Sequence, residues 1–259
     1  FSPDGAWVAF FAGGQLKRVA LAGGPPLTVV AATSARGATW GPDGTIVFAT
    51  SNAATGLFRV SDAGGEPTVM TKPNRERGET DHLWPEFLPG GQAVLFTITT
   101  ATGGTDNSQI AVLDLRTGAQ KIVLRGGSHA HYAEGGHLVY AAAGTLRAVS
   151  FDLKRLETTG TPVPVVPQVV TTNAGGADFD VARNGTLVYL PGGVAATART
   201  LVWLDRQGRE EAIKAPPRAY GYVRLAPDGT RVALDIRDQE SDIWVWDLAR
   251  ETLTRLTFD

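Results

Sequence analysis

The chain has 259 residues, of which 43% are hydrophobic, so it can bury a large core as one domain built from repeats. Its formal net charge is −2, whereas a nucleic-acid-binding domain usually carries a basic face, so no nucleic-acid partner is expected. It contains no cysteine, which excludes disulfides, thiolate metal sites and cysteine nucleophiles. No apolar run reaches the length of a membrane-spanning helix, so this segment is not expected to insert into a membrane.

A turn phrase recurs six times along the chain, each copy centred on a glycine that follows Asp, Gly or Asn. The copies are SPDGAWVAF, GPDGTIVFA, LPGGQAVLF, AEGGHLVYA, ARNGTLVYL and APDGTRVAL, with their glycines at Gly5, Gly44, Gly91, Gly136, Gly185 and Gly229. These dipeptides allow the positive φ that tight hairpin turns require, and the β-branched and aromatic residues that follow predict a strand. The spacing of 39 to 49 residues fits one four-stranded propeller blade per copy.

Further strands are predicted on both sides of each turn phrase. The candidate innermost strands are GATW ending at Trp40, LWPEF at Phe87, HAHY at Tyr132, ADFDV at Val181 and GYVRL at Leu225. The candidate outer edge strands are LTVV from Leu27, PTVM from Pro67, KIVL from Lys121, PVVP from Pro164, EAIK from Glu211 and LTRL from Leu253. Because five innermost strands serve six turn phrases, the first blade should lack its innermost strand.

These patterns predict an all-β fold, a six-bladed β-propeller of four-stranded antiparallel blades with a three-stranded first blade. The predicted blades cover 1–33, 34–76, 77–125, 126–170, 171–215 and 216–259, as one domain. The chain opens inside a turn phrase, so we expect it to be part of a longer protein. An incomplete blade exposes a strand edge, which predicts edge-to-edge association with a second copy.

The turn phrase resembles the TolB-like (WD40-like) propeller repeat, whose consensus centres on W-S-P-D-G-x-x-I/V-A-F. The segment 201–259, together with GGQLKRVALAGGPP and GTLVYLPGG, is similar to the C-terminal propeller region of bacterial membrane-bound serine/threonine protein kinases. That resemblance implies a propeller held outside the cytoplasm, in the periplasm, behind a kinase domain and a membrane segment. No Gly-rich phosphate loop, HRD or DFG occurs here, so any kinase activity would lie outside this chain.

Polar residues near the starts of the innermost strands are candidate ligand contacts, because these strands line the central channel of a propeller. The candidates at the channel mouth are Arg36, Arg77, Glu79, His82, His129, His131, Arg218 and Tyr220. Converging arginines can bind a carboxylate or a phosphate through paired hydrogen bonds. The alternative is a set of salt bridges at the rim with Glu79, Asp81 and Asp178.

Three histidines are candidates for a metal site. His129 and His131 are two residues apart and would share one face of a strand, and His82 starts the preceding blade. The alternative is that they are hydrogen-bonded polar groups of the channel. Ser128 beside His129 is not expected to be a nucleophile, because adjacent strand residues point to opposite faces, and the patterns G-x-S-x-G and S-x-x-K are absent.

Two functions are consistent with these residues. The first is a non-enzymatic ligand- or protein-binding sensing module, without a cofactor, that takes a peptide, a protein or a small anion at the channel. The second is a hydrolase or lyase with its site at the channel mouth, with or without a metal. The repeat favours the first, because no convincing set of catalytic residues accompanies it, although a propeller fold by itself hosts many functions.

Overall fold

A computed structural model describes residues 1–101, 107–172, 174–182, 185–192, 199–237 and 241–257. Within these ranges 23 strands form six antiparallel sheets, each made of strands consecutive in the chain. Blade 1 has three strands and the other five blades have four, so the predicted propeller with its incomplete first blade is confirmed. In the described part of the chain, no helix is long and apolar enough to cross a membrane.

The strand bounds, blade by blade, are as follows. Blade 1 consists of β1 (Trp7–Ala12), β2 (Gln15–Ala20) and β3 (Leu27–Ala31), and blade 2 of β4 (Ala35–Trp40), β5 (Thr45–Thr50), β6 (Leu57–Ser61) and β7 (Thr68–Val69). A 3-10 turn (Arg75–Arg77) leads into blade 3, with β8 (Glu79–Phe87), β9 (Ala93–Thr100), β10 (Gln109–Asp114) and β11 (Gln120–Arg125). Blade 4 consists of β12 (Ser128–Ala133), β13 (His137–Ala142), β14 (Thr145–Asp152) and β15 (Glu157–Val166). Blade 5 consists of β16 (Phe179–Val181), β17 (Leu187–Tyr189), β18 (Val202–Leu204) and β19 (Glu210–Ala212), and blade 6 of β20 (Tyr220–Leu225), β21 (Arg231–Arg237), β22 (Ser241–Asp247) and β23 (Thr252–Arg255).

The turn phrases form the hairpins between the first two strand positions of each blade. Gly44 has φ 78° and Gly229 has φ 69°, the left-handed conformation in which a Cβ atom would be strained. In the three copies in which an aspartate precedes the glycine, its Oδ1 accepts a hydrogen bond from the backbone N–H two residues on, as Asp43 Oδ1 does from Thr45 at 3.0 Å. The turn chemistry is therefore local, which explains why the repeat is readable in the sequence. Arg183 and Asn184 of the fifth phrase lie outside the described residues.

The hydrophobic core lies between the blades. Six buried clusters each join two neighbouring blades; one of them packs Val47 and Leu57 of blade 2 against Leu83 of blade 3. The innermost strands of neighbouring blades also contact each other from β4 through β8, β12 and β16 to β20. The starts of these five strands therefore lie around the central axis of the ring, a region that we call the hub.

Blades 1 and 6 close the ring through side-chain packing. Val8, Phe10 and Val19 of blade 1 form a buried cluster with Ala233 of blade 6. Strand β1 pairs with β2 alone among the described strands, so its other edge has no described strand beside it. Edge-to-edge self-association therefore stays a prediction, which light scattering at high protein concentration checks.

Candidate binding site at the propeller hub

The innermost strands of blades 2, 3, 4 and 6 each contain a β-bulge near their start. In three of them a bulge residue has positive φ: 95° at Gly37, 53° at Trp84 and 50° at His129. A bulge re-aims the side chain that it carries. Positive φ is uncommon for a bulky residue and persists only where the surroundings hold it, which is a feature of functional sites. Trp84 and His129 are therefore the first residues to consider at the hub.

The indole of Trp84 lies across the hub. Its Nε1 donates to the Ala174 carbonyl at 2.8 Å, and its ring centroid is 6.5 Å from that of Tyr222 in blade 6. Gly176 makes room for it, because a Cβ there would lie 2.7 Å from Trp84 Cζ2. A Cβ at Gly37 would lie 3.0 Å from the Trp84 Cα. Trp84 thus links blades 2, 3, 5 and 6, and at this depth the hub is filled by an aromatic side chain.

A second set of hub side chains comes from the position five residues before each turn glycine. We call this set the polar collar; its members are Thr39, Glu86, His131, Asp180 and Arg224. Three members accept a hydrogen bond from the backbone of the next blade. Thr39 Oγ1 accepts from Phe87 N at 3.0 Å. Glu86 Oε1 accepts from Tyr132 N and Asp180 Oδ2 from Leu225 N, both at 2.7 Å. The collar therefore ties each of these innermost strands to its neighbour.

Replacing Thr39 by valine tests the collar. Valine has the shape of threonine without the hydroxyl, so the backbone N–H of Phe87 would lose its acceptor. We expect the free energy of unfolding to fall by about 1–2 kcal/mol, the usual effect of leaving a partly buried donor unsatisfied. Urea unfolding measures it. Thr68→Val on the exposed edge strand β7 is the control and should change stability little; equal effects of the two substitutions would contradict the role of the collar.

The other two collar members are hydrogen-bond donors. His131 Nδ1 contacts Glu86 Oε2 and lies 3.6 Å from Asp180 Oδ1, so the histidine sits between two carboxylates. Arg224 Nη1 donates to the carbonyls of Val223 at 2.9 Å and Phe179 at 3.3 Å. Hydrogen-bond donors and acceptors therefore alternate around part of the collar.

His129 lies directly above the collar and is almost completely buried. Its Nδ1 accepts the Ala177 N–H at 2.8 Å, and its Nε2 is 3.2 Å from Arg224 Nη2. Its ring centroid is 4.9 Å from that of Trp84 and 4.8 Å from that of His131. Burial lowers the pKa of His129 well below its usual value, and the nearby charges of His131 and Arg224 lower it further. Nδ1 accepts a hydrogen bond and so carries no proton, which together with the lowered pKa indicates a neutral imidazole.

The three histidines considered for a metal do not converge. His82 is fully buried, with Nδ1 at 2.8 Å from Thr71 Oγ1 and Nε2 at 3.1 Å from Glu79 Oε2. Burial lowers the pKa of His82, which the Glu79 carboxylate partly offsets. Over the described ranges, no group of three His, Asp or Glu side chains is arranged to hold a metal ion. His129 Nδ1 accepts the Ala177 N–H and Nε2 faces Arg224 Nη2, so neither ring nitrogen is placed as a base for Ser128.

The remaining candidates do not meet at one place. Arg36 donates to the carbonyl of Ala35 at 2.9 Å, and the Arg218 guanidinium lies 4.6 Å from the centre of the Trp244 ring. Tyr220 is buried in the core between blades 5 and 6, and its hydroxyl donates to the Pro216 carbonyl. Arg77 is exposed and lines a cleft.

That cleft has a volume of about 600 Å³ and lies between the start of blade 3 and the end of its outer strand. Its polar lining comes from Arg77, Thr100, Asn107, Gln109 and Arg125. Among the described residues, no carboxylate oxygen lies within 4.0 Å of the Arg77 or Arg125 guanidinium. Sequence reasoning named Arg77 and missed Arg125. The signal for Arg125 is its place at the end of an outer strand, where the chain turns towards the next blade.

The comparisons with known proteins address the fold. No family model matches the sequence, and the search of curated proteins gives no match. TolB from Acinetobacter baumannii has a TM-score of 0.71 and 17% identity, over 95% of this chain and 60% of that one, so this chain spans well under two thirds of TolB. Regucalcin, a calcium-binding protein from Agrobacterium tumefaciens, has a TM-score of 0.65 and 16% identity over 92% of this chain and 81% of that one.

A further similar structure belongs to an enzyme. An oligogalacturonate lyase in complex with manganese has a TM-score of 0.62 and 13% identity, over 98% of this chain and 74% of that one. At such identities the likeness shows the fold alone, and the same fold carries binding proteins and enzymes. This chain has a TolB-like six-bladed β-propeller fold.

Proposed function

We propose that this chain is a non-enzymatic propeller that binds an anionic peptide, protein or small molecule at the face where the innermost strands begin. The observation that carries the proposal is the cleft of about 600 Å³ that holds Arg77 and Arg125. Both side chains are exposed, and neither has a described carboxylate partner, although the whole chain carries a net charge of −2. A local pair of uncompensated cations attracts anionic ligands.

The chemistry of the cleft suits an oxyanion. Each guanidinium presents a planar set of N–H donors that matches the oxygens of a carboxylate or a phosphate. The amides of Asn107 and Gln109 and the hydroxyl of Thr100 also line the cleft, where they can complete the hydrogen bonding of a bound group. The cleft is open to solvent at the surface of the ring, so it can also accept a side chain or a chain terminus of a larger partner.

Calorimetric titration with inorganic phosphate and with citrate tests the proposal. Charge-assisted hydrogen bonds contribute about 1.5–3 kcal/mol each, so Arg77→Gln and Arg125→Gln should each weaken binding about tenfold or more. The matched control is Arg59→Gln, because Arg59 is an exposed arginine of β6 away from the cleft. Binding that is equally weak in all three variants, or undetectable in the unaltered protein, would rule the cleft out.

The enzymatic alternative makes a different prediction. A metal-dependent hydrolase or lyase would purify with one metal ion per chain, and His131→Ala would remove that metal. Elemental analysis of the purified protein separates the two functions. We expect no stoichiometric metal, since His131 is engaged by Glu86 and His82 by Glu79 and Thr71.

The resemblance of the segment 201–259 to the propeller region of bacterial membrane-bound kinases supports a sensing role outside the cytoplasm. In that arrangement the cleft would face the periplasm and report an extracellular anion to a kinase domain in the same protein. Fractionation of the producing cells, with an antibody against this segment, tests the location. Recovery of the propeller in the cytoplasmic fraction would contradict it.

A further inference from the structure

Two N–H donors face each other at the hub. His129 Nδ1 accepts the backbone N–H of Ala177 at 2.8 Å, so this nitrogen carries a lone pair and no proton. A neutral imidazole has one N–H, which must then be on Nε2. That nitrogen lies 3.2 Å from Arg224 Nη2, and a guanidinium nitrogen can only donate. The geometry therefore brings Nε2–H and Nη2–H together with no acceptor of their own.

The charge of Arg224 also lacks an anionic partner. The guanidinium is partly buried, and its other hydrogen bonds go to the neutral carbonyls of Val223 and Phe179. Within the described ranges no carboxylate oxygen lies within 4.0 Å of it. Asp180, in the neighbouring blade, already accepts the backbone N–H groups of Val181 and Leu225. Partly buried charges are normally paired, so an anion is the missing component.

A third polar atom beside this pair is also unpartnered. His131 Nε2 is buried and has no hydrogen-bond partner among the described residues, although the other ring nitrogen contacts Glu86. The His131 side chain is 8% exposed, and its ring centroid is 4.8 Å from that of His129. Three neighbouring side chains of the hub thus have hydrogen-bonding capacity that the rest of the described structure does not use.

We propose that the His129–Arg224 pair binds one small monovalent anion, a carboxylate group, which accepts from His129 Nε2–H and Arg224 Nη2–H together. The ring centroids of Trp84 and Phe179 lie 4.9 and 5.8 Å from that of His129. These aromatic rings flank the pair and restrict the bound anion to a small group. The collar carboxylates Glu86 and Asp180 disfavour a dianion. This site lies inside the hub and does not depend on the Arg77–Arg125 cleft.

Histidine resonances provide a direct test on the unaltered protein. The chain has four histidines, so long-range proton–nitrogen correlation can assign the tautomer of each. We expect His129 in the Nε2–H tautomer, with a saturable shift of Nε2 and its proton on addition of sodium acetate at constant ionic strength. Acetamide, the neutral analogue, should cause no shift, and the exposed His137 should show no saturable response.

Two results would overturn the proposal. An Nδ1–H tautomer of His129 would mean that Nε2 accepts from Arg224, so that no acceptor is missing. Acetate shifts that are linear and alike at all four histidines would mean that acetate does not bind specifically at His129.

Variants of Arg224 test the site. Arg224→Gln should weaken the acetate-induced shift of His129 at least tenfold, Arg224→Lys should weaken it less because the charge remains, and Arg59→Gln, in β6 outside both sites, should leave it unchanged. Acetate binding that survives Arg224→Gln and Arg224→Lys unaltered would disprove the site. If Arg224→Gln does not fold, the lysine variant and the tautomer measurement still decide the outcome.

The source of the carboxylate can be distinguished with triglycine. Tighter binding of triglycine with a free terminus than of acetate, lost on amidation, would assign the group to a peptide end. Equal binding of acetate and triglycine would assign it to a small free anion. Both results support the site, whereas no response of His129 to either probe contradicts it.

Discussion

Replacing Trp84 by alanine is expected to lower the free energy of unfolding by about 3–5 kcal/mol, the usual cost of removing a buried aromatic side chain. Trp84 is 6% exposed, and its indole joins blade 3 to Ala174, Gly176 and Tyr222. The loss should be at the upper end of this range, because the rigid strands around the hub cannot collapse into the space. Urea or thermal unfolding followed by far-ultraviolet circular dichroism measures it.

Trp7→Ala is the matched control for Trp84→Ala. Trp7 is partly exposed in β1, where its ring centroid lies 4.7 Å from the Arg18 guanidinium carbon. Its removal should therefore lower the free energy of unfolding clearly less than Trp84→Ala does. A complementary substitution, Gly176→Ala, introduces a methyl group that would lie 2.7 Å from the indole. We expect this variant to be destabilised in the presence of Trp84 and much less so in the Trp84→Ala background. Equal costs of Gly176→Ala in both backgrounds would show that the indole does not occupy the hub.

Replacing Asp81 by asparagine is expected to stabilise the protein at pH 8 and to leave it unchanged near pH 4. Burial raises the pKa of the Asp81 carboxyl to about 6 from 3.8, although a hydrogen bond from the His82 N–H and the charge of Arg36 act in the opposite direction. Asparagine keeps an oxygen for the His82 N–H and removes the buried charge. Each pKa unit corresponds to about 1.4 kcal/mol, so the full shift corresponds to about 3 kcal/mol, and solvent screening lowers the expected gain at pH 8 to about 2 kcal/mol.

The sign of this effect follows from proton binding. Between pH 3.8 and about 6 the folded state holds the Asp81 proton while the unfolded state has released it. Stability therefore falls as the pH rises through this window and is level above it. The free energy of unfolding of both proteins, measured from pH 4 to pH 8, gives the difference directly.

Asp228→Asn provides a control of opposite sign. Hydrogen bonds from the backbone N–H and the hydroxyl of Thr230 lower the pKa of the exposed Asp228, so its charged form contributes stability that is lost as the pH falls through its folded-state pKa. Asp228→Asn should cost some stability at pH 8 and nothing in strong acid. A difference between Asp81→Asn and the unaltered protein that does not change with pH would contradict burial of the Asp81 charge.

The hub shows where strand periodicity is a sufficient guide and where it is not. Alternation along a strand predicted that His129 and His131 share a face, and their rings do lie 4.8 Å apart. Strand alternation is not what brings the two rings together, because a bulge shifts the register between Ser128 and His131. His129 in this bulge has a φ of 50°. A bulge of this kind leaves no reliable mark in a single sequence, since the residue that adopts it here is a histidine and not a glycine.

The polar collar could have been found from the sequence. Its members stand five residues before each turn glycine, and each is a polar or charged residue near the end of an innermost strand. The sequence does not show that Glu86 accepts the backbone N–H of Tyr132 or that Asp180 accepts that of Leu225, because the two residues of each pair are 46 and 45 positions apart.

The amino-acid sequence by itself determined the all-β class, the six blades, the missing strand of the first blade and the positions of the hairpins. Each of these depends on contacts within a few residues, such as a positive φ at a turn glycine or the alternation of apolar residues. Only the tertiary structure decided that Trp84 fills the hub, that His129 meets Arg224, and that Arg77 shares a cleft with Arg125. Trp84 and Ala174 are 90 residues apart and His129 and Arg224 are 95 apart, so closure of the ring is what brings them together.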